Sequence, residues 1–266
     1  MEPLTIDPKE VSGKLENFVR QKLNEAGYKR AIFGLSGGID SSTTAYIASR
    51  ALGAENVWGV SMPYRTSSQQ SASDAQLVAN ELGINFMTVE ITDMIDAYFK
   101  RYPDADTLRR GNKMARERMT ILYDQSVALK ALVLGSGNKT EVLLGYCTLF
   151  GDTGCALNVL GDLYKTQVRQ LARFLGVPEQ IIQKVPTADL WPGQSDEAEL
   201  GFTYEQADKL LYFMMEKSYT FAELKEAGFA DDFIELVTNK IRKSQYKRCL
   251  PPVLRINQGF IDKKGI

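Results

Sequence analysis

The stretch Ser36-Gly37-Gly38-Ile39-Asp40-Ser41-Ser42 follows directly on RAIFGL, an apolar run at 30–35. An apolar run of this length that ends in Ser-Gly-Gly and then opens into a helical pattern predicts a strand, a tight turn and a helix N-terminus. Two glycines let the backbone come close to a ligand, and the free N–H groups at the helix start point towards it. The serine hydroxyls add further donors, so the turn suits an anion such as a phosphate.

Asp40 is the unusual residue of this turn. A carboxylate repels a phosphate unless a cation such as Mg²⁺ lies between them. The turn lacks the Gly-Lys-Ser/Thr ending of the Walker P-loop. An ordinary turn between a strand and a helix is the alternative interpretation, with Asp40 in the first helical turn, where the macrodipole favours an acidic residue.

Composition excludes several function classes. The chain has 266 residues, 44% of them hydrophobic, and a net charge of −1 from 32 basic and 33 acidic residues. Such a balance does not indicate non-specific nucleic-acid binding. No apolar stretch approaches the roughly 20 residues that span a bilayer. The N-terminus lacks a basic region followed by an apolar one, which argues against a signal peptide. Together with three widely spaced cysteines, these features predict a cytoplasmic protein without a membrane segment.

Histidine is absent from the chain. Its absence excludes a Ser-His-Asp triad, a Cys-His pair and any histidine-ligated metal. Any chemistry must therefore use carboxylates, lysines, arginines, hydroxyls and a hard metal ion.

The order of patterns along the chain predicts an α/β fold, a doubly wound and mainly parallel sheet with a helical C-terminal part. The predicted strands are 31–35, 57–62, 85–90, 131–135 and a short fifth at 159–160. The predicted helices are 8–26, 39–52, 68–82, 108–130, 166–175, 204–217, 221–227 and 231–246. The polar stretch 186–201 predicts a mobile loop. We divide the single domain 1–266 into an N-terminal helix (1–29), a nucleotide-binding core (30–185), and the loop with the C-terminal helices (186–266).

A second group of polar residues follows the strand at 131–135. Ser136 stands at its end and could hydrogen-bond a nucleotide, and a site for one is expected at the carboxyl ends of parallel strands. Asn138 and Glu141 have the spacing of a capping box, so Glu141 has a structural explanation. The alternative is that Glu141 shares a Mg²⁺ ion with Asp40.

Three further positions carry candidate chemistry. Asp152 follows a glycine in a loop, where an aspartate often serves the turn itself. Lys165 begins a helix, and the helix dipole makes the N-terminal end unfavourable for a cation. An anion is therefore expected near Lys165. Asn112 and Arg116 are four residues apart and lie on one helical face. Arg116 can bind a phosphate or carboxylate through its planar fork, whereas Arg110 and Arg118 fit a solvated surface.

These motifs, in this order, resemble those of the NAD synthetases, which amidate nicotinic acid adenine dinucleotide (deamido-NAD). The shared segments include Gly-Asn-Lys-Thr-Glu at 137–141, Gly-Asp-Leu-Tyr-Lys-Thr at 161–166 and Gly-Gln-x-Asp-Glu at 193–197. The 36–41 turn itself resembles the SGGxDS loop of the N-type ATP pyrophosphatases. The resemblance implies an adenine nucleotide α hydrolase-like, Rossmann-like fold, ATP as co-substrate, Mg²⁺ and a homodimer.

The resemblance also implies roles for individual residues. ATP contacts fall on Gly34, Leu35, Ser36, Gly37, Gly38, Ile39, Asp40, Ser41, Arg65, Ser136, Lys165 and Thr187, with Gln69 beside Arg65. Contacts to deamido-NAD fall on Asn112, Arg116, Glu141, Tyr246 and Lys247. The metal ligands are Asp40 and Glu141. The catalytic positions are Lys165, which faces the pyrophosphate, and Asp152, which faces the incoming ammonia.

Three positions depart from the common ammonia-dependent pattern. Leu149 stands in place of a lysine, Ala156 in place of an aspartate, and Tyr246 where a histidine is frequent. This stretch looks more like the synthetase domain of the glutamine-dependent branch. Only about 30 residues precede the first strand, which leaves no room for a glutaminase domain. The expected nitrogen donor is free ammonia, or ammonia from a separate protein.

The resemblance implies the last step of NAD biosynthesis, catalysed by a ligase that forms a C–N bond. The nicotinate carboxylate attacks the α-phosphorus of ATP, pyrophosphate leaves, and ammonia then displaces AMP from the acyl-adenylate. One alternative is amidation of nicotinate mononucleotide, and another is a different ligase with the same loop, such as GMP synthetase or a tRNA thiolation enzyme. A non-catalytic dinucleotide-binding protein fits less well, because a binder needs no complete set of metal and leaving-group residues.

Overall fold

A five-stranded parallel sheet forms the centre of the structure, a computed structural model that describes residues 4–191, 193–256 and 259–260. The order of its strands is β3-β2-β1-β4-β5, and each neighbouring pair is parallel. The strands are β1 (Arg30–Gly34), β2 (Val57–Ser61), β3 (Asn85–Thr88), β4 (Ala131–Gly135) and β5 (Leu157–Asn158). The order reverses between β1 and β4, so the predicted doubly wound sheet is confirmed.

Helices follow the strands and then continue without further sheet partners. They are α1 (Pro8–Glu25), α2 (Ile39–Leu52), α3 (Gln69–Leu82), α4 (Thr92–Phe99), α5 (Thr107–Leu129), α6 (Lys139–Leu144), α7 (Lys165–Leu175), α8 (Glu179–Ile182), α9 (Asp196–Leu200), α10 (Tyr204–Met215), α11 (Phe221–Glu226) and α12 (Asp231–Lys243). Short 3-10 turns lie at Ala54–Asn56, Asp152–Gly154 and Gln245–Arg248, and a two-stranded hairpin joins β6 (Leu254–Arg255) to β7 (Gly259–Phe260). Within the described residues, none of the helices combines the length and apolar composition that crossing a bilayer requires.

Both faces of the sheet are buried. In β1, Ala31 and Phe33 pack with α1, α2 and α7 on one face, whereas Ile32 packs with α4 and α5 on the other. Successive side chains of a strand point to opposite faces, so a strand covered on both sides must be apolar throughout. This explains why β1, β2 and β4 are nearly continuous apolar runs in the sequence.

A third apolar cluster joins the C-terminal helices to α6. Leu144 of α6 packs with Leu210 and Leu211 of α10, and with Leu224 and Val237 of the two following helices. The C-terminal helices are therefore attached to the helix that follows β4, at the carboxyl edge of the sheet.

Several elements differ from the predictions: α4, α6 and α8 were not predicted, and a number of boundaries are shifted. The fifth strand lies at Leu157–Asn158 instead of 159–160, because Leu157 and Asn158 pair with the end of β4. Val159 and Leu160 are apolar because they are buried in the core beside the sheet. The predicted loop at 186–201 contains α9, and the last helix ends at Lys243 and not at 246.

The turn between β1 and α2 needs a glycine at position 37. Gly37 has φ of +75°, and a Cβ atom built there would lie 2.2 Å from the carbonyl oxygen of Ser71 in α3. Both the left-handed backbone and the close approach of α3 exclude a side chain. The turn that opens α2 is thus pressed directly against α3.

We predict that Gly37→Ala lowers the free energy of unfolding more than Gly27→Ala does. Gly27 has φ of +77° and no atom within 4 Å of a built Cβ, so it serves as the matched control. Backbone strain should cost about 1–2 kcal/mol at either position. Overpacking against α3 should add at least about 1 kcal/mol at position 37. Urea unfolding of both variants measures this difference, and equal losses would contradict the close packing.

Candidate active site

A cavity of about 590 Å³ lies at the carboxyl ends of β1, β2 and β4. Its walls include the 36–41 turn, the ends of β2 and β4, one face of α5, and segments near positions 145–152 and 184–196. In doubly wound sheets ligands bind at the point where the strand order reverses. The cavity occupies this position, between β1 and β4.

The 36–41 turn is held in shape by its own serines. The hydroxyls of Ser36 and Ser41 lie 3.0 Å apart, and Ser41 Oγ also donates to the carbonyl of Gly38 at 3.0 Å. Gly38 occupies the N-cap of α2 and offers no side-chain hydrogen bond to the first turn. The N–H groups at the start of α2 therefore have no capping side chain, which is the arrangement that binds anions.

Lys165 and two carboxylates form the charged centre of the cavity. The Lys165 side chain is only 3% exposed, and its Nζ contacts Asp40 Oδ2 and lies 3.3 Å from Glu141 Oε1. Asn138 donates from Nδ2 to Asp40 Oδ1 at 3.1 Å. The structure thereby brings together residues from α2, α6 and α7 that are 125 positions apart at most. The anion expected near Lys165 is supplied by the protein itself.

Glu141 fulfils the capping role that the sequence suggested for its position, while its role as a Mg²⁺ ligand stays a prediction. Its backbone N–H donates to Asn138 Oδ1 at 3.0 Å, and its Oε2 accepts from the Asn138 N–H at 3.3 Å, which completes the capping box of α6. The other carboxylate oxygen, Oε1, faces Lys165. One carboxylate can therefore cap a helix and contribute charge to the cavity.

Burial and mutual charge shift the pKa values of this group. Burial raises the pKa of Glu141 to about 8, with Lys165 opposing the shift and Asp40 reinforcing it. Burial on its own lowers the pKa of Lys165, but the carboxylates of Asp40 and Glu141 more than compensate and raise it above its usual range. Lys165 is thus held as a cation inside the cavity.

A third carboxylate, that of Asp196, also lies close to this group. It is 4% exposed and accepts hydrogen bonds of 3.0 Å from the phenols of Tyr204 and Tyr146. Burial raises the pKa of Asp196. Asp196 belongs to the Gly-Gln-x-Asp-Glu motif, which pointed to the family without assigning the aspartate a role.

The cavity walls also carry Asn112 and Lys247, predicted to contact the acceptor, and Asp152, predicted to face the incoming ammonia. Asn112 Oδ1 accepts from the hydroxyl of Thr148 at 2.8 Å, and Asp152 Oδ1 accepts from the backbone N–H of Thr148 at 2.7 Å. Lys247 donates from Nζ to the carbonyls of Gly145 and Cys147 at 2.8 and 2.7 Å. Desolvation at the cavity wall raises the pKa of Asp152.

Most of the sequence-predicted site residues line this one cavity. They are Gly34, Leu35, Ser36, Gly38, Ile39, Asp40, Ser41, Asn112, Ser136, Glu141, Asp152, Lys165, Thr187 and Lys247. Gly37 is buried behind the turn. The Thr187 hydroxyl accepts from the backbone N–H of Asp189 at 3.0 Å, which shapes the segment that closes the cavity.

Besides Gly37, four predicted site residues lie outside the cavity walls, one of them Gln69 at the start of α3. Arg65 is exposed and pairs with Asp96, and Tyr246 is 63% exposed. Arg116 is exposed, and its Nε donates to the carbonyl of Leu149 at 3.1 Å. Their roles in binding stay predictions.

Arg118, which the sequence analysis placed on the surface, instead lines the cavity. Its Nε donates to the carbonyl of Met62, beyond the end of β2, at 3.0 Å. Burial lowers the pKa of its guanidinium. The helical spacing along α5 does predict this position, because Arg118 is four residues from the buried Met114 and from the buried Leu122.

Nearly the whole chain is similar to one family of known proteins. The sequence profile described as NAD synthase matches residues 11–251 of the chain. The chain belongs to the NAD synthase family. It is 51% identical over 263 residues to the NH(3)-dependent NAD(+) synthetase of Trichlorobacter lovleyi, covering 99% of this chain and 96% of that protein. The predicted family membership is therefore confirmed.

Two solved structures of the same fold are 30% identical to the chain. The NMN synthetase of Francisella tularensis superposes with a TM-score of 0.85 over 95% of this chain and all of that one. The NH3-dependent NAD synthetase of Campylobacter jejuni superposes with a TM-score of 0.81 over 94% of this chain and all of that one. The Rossmann-like α/β fold of the family is thus shared along nearly the whole chain.

We predict that Lys165→Met lowers the free energy of unfolding of the ligand-free protein by about 1–3 kcal/mol, because two partly buried carboxylates lose their cation. The loss should shrink from pH 8 to pH 5, since Glu141, whose pKa burial raises to about 8, is then protonated and no longer carries an uncompensated charge. Urea unfolding at both pH values tests this.

Lys139→Met is the matched control for that substitution. Lys139 also contacts two carboxylates, but those of Asp162 and Glu216 are 95% and 40% exposed. Exposed pairs of this kind are worth about 1 kcal/mol or less. Equal losses of unfolding free energy in the two variants would show that burial does not strengthen the Lys165 ion pairs.

Proposed function

We propose that the protein amidates deamido-NAD with ammonia at the expense of ATP, the last step of NAD biosynthesis. One observation carries the proposal: a buried lysine is held between two carboxylates beside an anion-binding turn, in a chain 51% identical to an NH(3)-dependent NAD(+) synthetase over 99% of its length. ATP is then the co-substrate, and the enzyme is a ligase that forms a C–N bond.

The turn at 36–41 and Lys165 suit the phosphates of ATP. The uncapped N–H groups of α2 and the serine hydroxyls would bind phosphate oxygens, as helix N-termini do. Lys165 carries a fixed positive charge in a site with little water, where such a charge acts strongly. Its charge counts most when pyrophosphate departs, because negative charge develops there as the α-phosphorus transfers to the acceptor carboxylate.

We propose that Asp40 and Glu141 also hold Mg²⁺. Carboxylate oxygens are the ligands that this ion prefers, and it is commonly bound by one or two carboxylates together with substrate phosphates. The described residues contain no group of three or more acidic, cysteine or histidine side chains placed to hold a metal ion. Oxygens of ATP and water would therefore provide the remaining ligands of the ion. When bound, the ion neutralises the charge of the triphosphate.

Ammonia requires a proton acceptor. Near neutral pH it is mostly ammonium, which has no lone pair for attack on the acyl-adenylate. We assign proton acceptance to Asp152, whose pKa is raised by desolvation at the cavity wall. Asn112 and Lys247, which face the same part of the cavity, would hold the acceptor. The carbonyl carbon then bonds to nitrogen, AMP leaves, and the second proton goes to solvent.

A second candidate acceptor is nicotinate mononucleotide. One structural relative is named an NMN synthetase, and the chain lacks a lysine and an aspartate, at Leu149 and Ala156, that the common branch uses for the dinucleotide. The dinucleotide is favoured by the 51% identity to a NAD synthetase.

We predict that ATP is converted to AMP and pyrophosphate in an acceptor-dependent manner, and that kcat/KM is at least about tenfold higher with deamido-NAD than with nicotinate mononucleotide. Contacts to the additional nucleotide need contribute only about 1.4 kcal/mol for this preference. Chromatography of nucleotides with either acceptor and without one provides the measurement. Formation of ADP and phosphate would refute the proposed chemistry, and the reverse preference would favour the mononucleotide.

We also propose a homodimer in which α5 forms part of the interface. Met114, Met119, Ile121 and Leu122 of α5 are buried in the core of one chain and cannot contribute. The exposed apolar residues of this region are others, namely Leu108, Tyr123, Val127 and Phe150. A cluster of exposed apolar residues is typical of an interaction surface. The cytoplasmic location and a separate ammonia-supplying protein stay predictions.

Arg116 lies on this same exposed side, so we propose that the dinucleotide extends out of the cavity towards the second subunit. Arg116→Ala should raise the Michaelis constant for deamido-NAD about ten- to a hundredfold, the value of a lost charge-assisted hydrogen bond. The constant for ATP should change less than about twofold.

Steady-state kinetics with each substrate varied in turn measures both constants. Arg109→Ala, an exposed arginine in the first turn of α5, is the control and should leave both near wild type. An acceptor constant within about twofold of wild type would assign Arg116 to the solvated surface.

A further inference from the structure

Helix α7 begins at Lys165 without a capping side chain from its own N-cap. The N-cap residue is Tyr164, which provides no side-chain hydrogen bond to the first turn. The first N–H groups of a helix need partners when they are buried. In α7 the partners of the first two N–H groups come from other helices. The Lys165 N–H donates to Thr140 Oγ1 at 3.0 Å, and the Thr166 N–H donates to Asp208 Oδ2 at 2.7 Å.

Asp208 is the residue that joins these two hydrogen bonds. Its second oxygen, Oδ1, accepts from the hydroxyl of Thr140. Asp208 therefore contacts α6, next to Glu141, and α7, next to Lys165, through a single carboxylate. It is fully buried and has no ion-pair partner among the residues that the structure describes. Burial raises the pKa of Asp208, and the hydrogen bonds from Thr140 and Thr166 oppose the shift.

Helix α10 contacts both the backbone at the start of α7 and the side-chain ammonium group of Lys165. Tyr204 lies one turn before Asp208 on the same face of α10. The Lys165 Nζ lies 5.0 Å from the centre of the Tyr204 ring, within the range of a cation–π contact. Asp208 fixes the backbone at the start of α7, and Tyr204 supports the ammonium group.

We infer that Asp208 is a positioning residue for the proposed reaction: it fixes the N-terminus of α7, and with it Lys165, relative to Glu141. A buried carboxylate without a cation has a desolvation cost that only hydrogen bonds offset, and a helix cap alone needs no such charge at this depth. Because Asp208 touches neither the cavity wall nor the reacting atoms, it acts through Lys165. This inference rests on the proposed function for its kinetic consequence but not for its structural one.

The experiment compares Asp208→Asn with Glu205→Gln. Glu205 lies on the same helix and also links α10 to α7, through Arg169, but its side chain is 58% exposed. An asparagine in place of Asp208 can accept only one of the two hydrogen bonds, since its amide nitrogen is a donor. We expect kcat for acceptor-dependent pyrophosphate release to fall about ten- to a hundredfold. The Michaelis constant for ATP should change less than about threefold, and Glu205→Gln should match wild type.

A second pair of variants covers the case in which Asp208→Asn fails to fold. Thr140→Val keeps the shape of the side chain but removes the hydroxyl that bridges Asp208 and the Lys165 N–H. It should lower kcat in the same way, and Thr140→Ser, which restores the hydroxyl, should recover most of the loss. Parallel loss of kcat and ATP affinity, or no recovery with serine, would mean a merely structural role and overturn the inference.

Amide hydrogen exchange separates this inference from the proposed function. In Asp208→Asn the amides of Lys165 and Thr166 should exchange at least about tenfold faster, with the β1 and β4 amides unchanged, and Glu205→Gln should leave all of them protected. If the wild-type protein released no pyrophosphate, the proposed function would fail while this measurement still decides the anchoring role. Unchanged protection at both amides would overturn it.

Discussion

The ion pair of Lys165 with Asp40 and Glu141 is the interaction on which the site depends. Placing charges in a poorly hydrated cavity is unfavourable unless each has a partner at close range. Here the partners come from helices that follow β1 and β4, the two strands between which the order reverses, and from α7. The requirement for charge balance therefore fixes three chain segments relative to one another at one edge of the sheet. It also concentrates opposite charges where a triphosphate and a metal ion would need them.

Much of the fold could be predicted because it depends on local rules. Burial on both faces makes parallel strands continuously apolar, so β1, β2 and β4 are visible as runs, and α2 was bounded correctly by its glycine turn and Gly53. The fifth strand was predicted at the wrong position because the prediction relied on apolar runs, as it did for the other strands. Val159 and Leu160 are apolar and buried, but the sheet partners are the less conspicuous Leu157 and Asn158.

The site residues that belong to short sequence motifs were predicted. Those that reach the site only through tertiary packing were missed. Asp40, Glu141 and Lys165 stand at strand or helix ends that meet at one edge, so their convergence follows from topology. Asp208 and Asp196 lie in the C-terminal part, and no local spacing announces that their carboxylates reach the core. The two arginines of α5 show the limit most clearly. Arg116 and Arg118 differ by about 200° around the helix, so only one faces the cavity, and the preference for Arg116 came from its spacing to Asn112 and from the resemblance.

The anchoring of α6 and α7 by α10 has a consequence for the order in which the protein matures. The glycine turn, the five-stranded sheet and the three residues of the ion pair all lie before position 166, so they are synthesised early. Their geometry is completed only by Tyr204 and Asp208, which are synthesised later. Because domains generally fold as units, the charged centre reaches its final geometry only once α10 has been synthesised. A chain that ends before α10 thus contains the three residues of the ion pair but lacks the contacts that hold Lys165 in place.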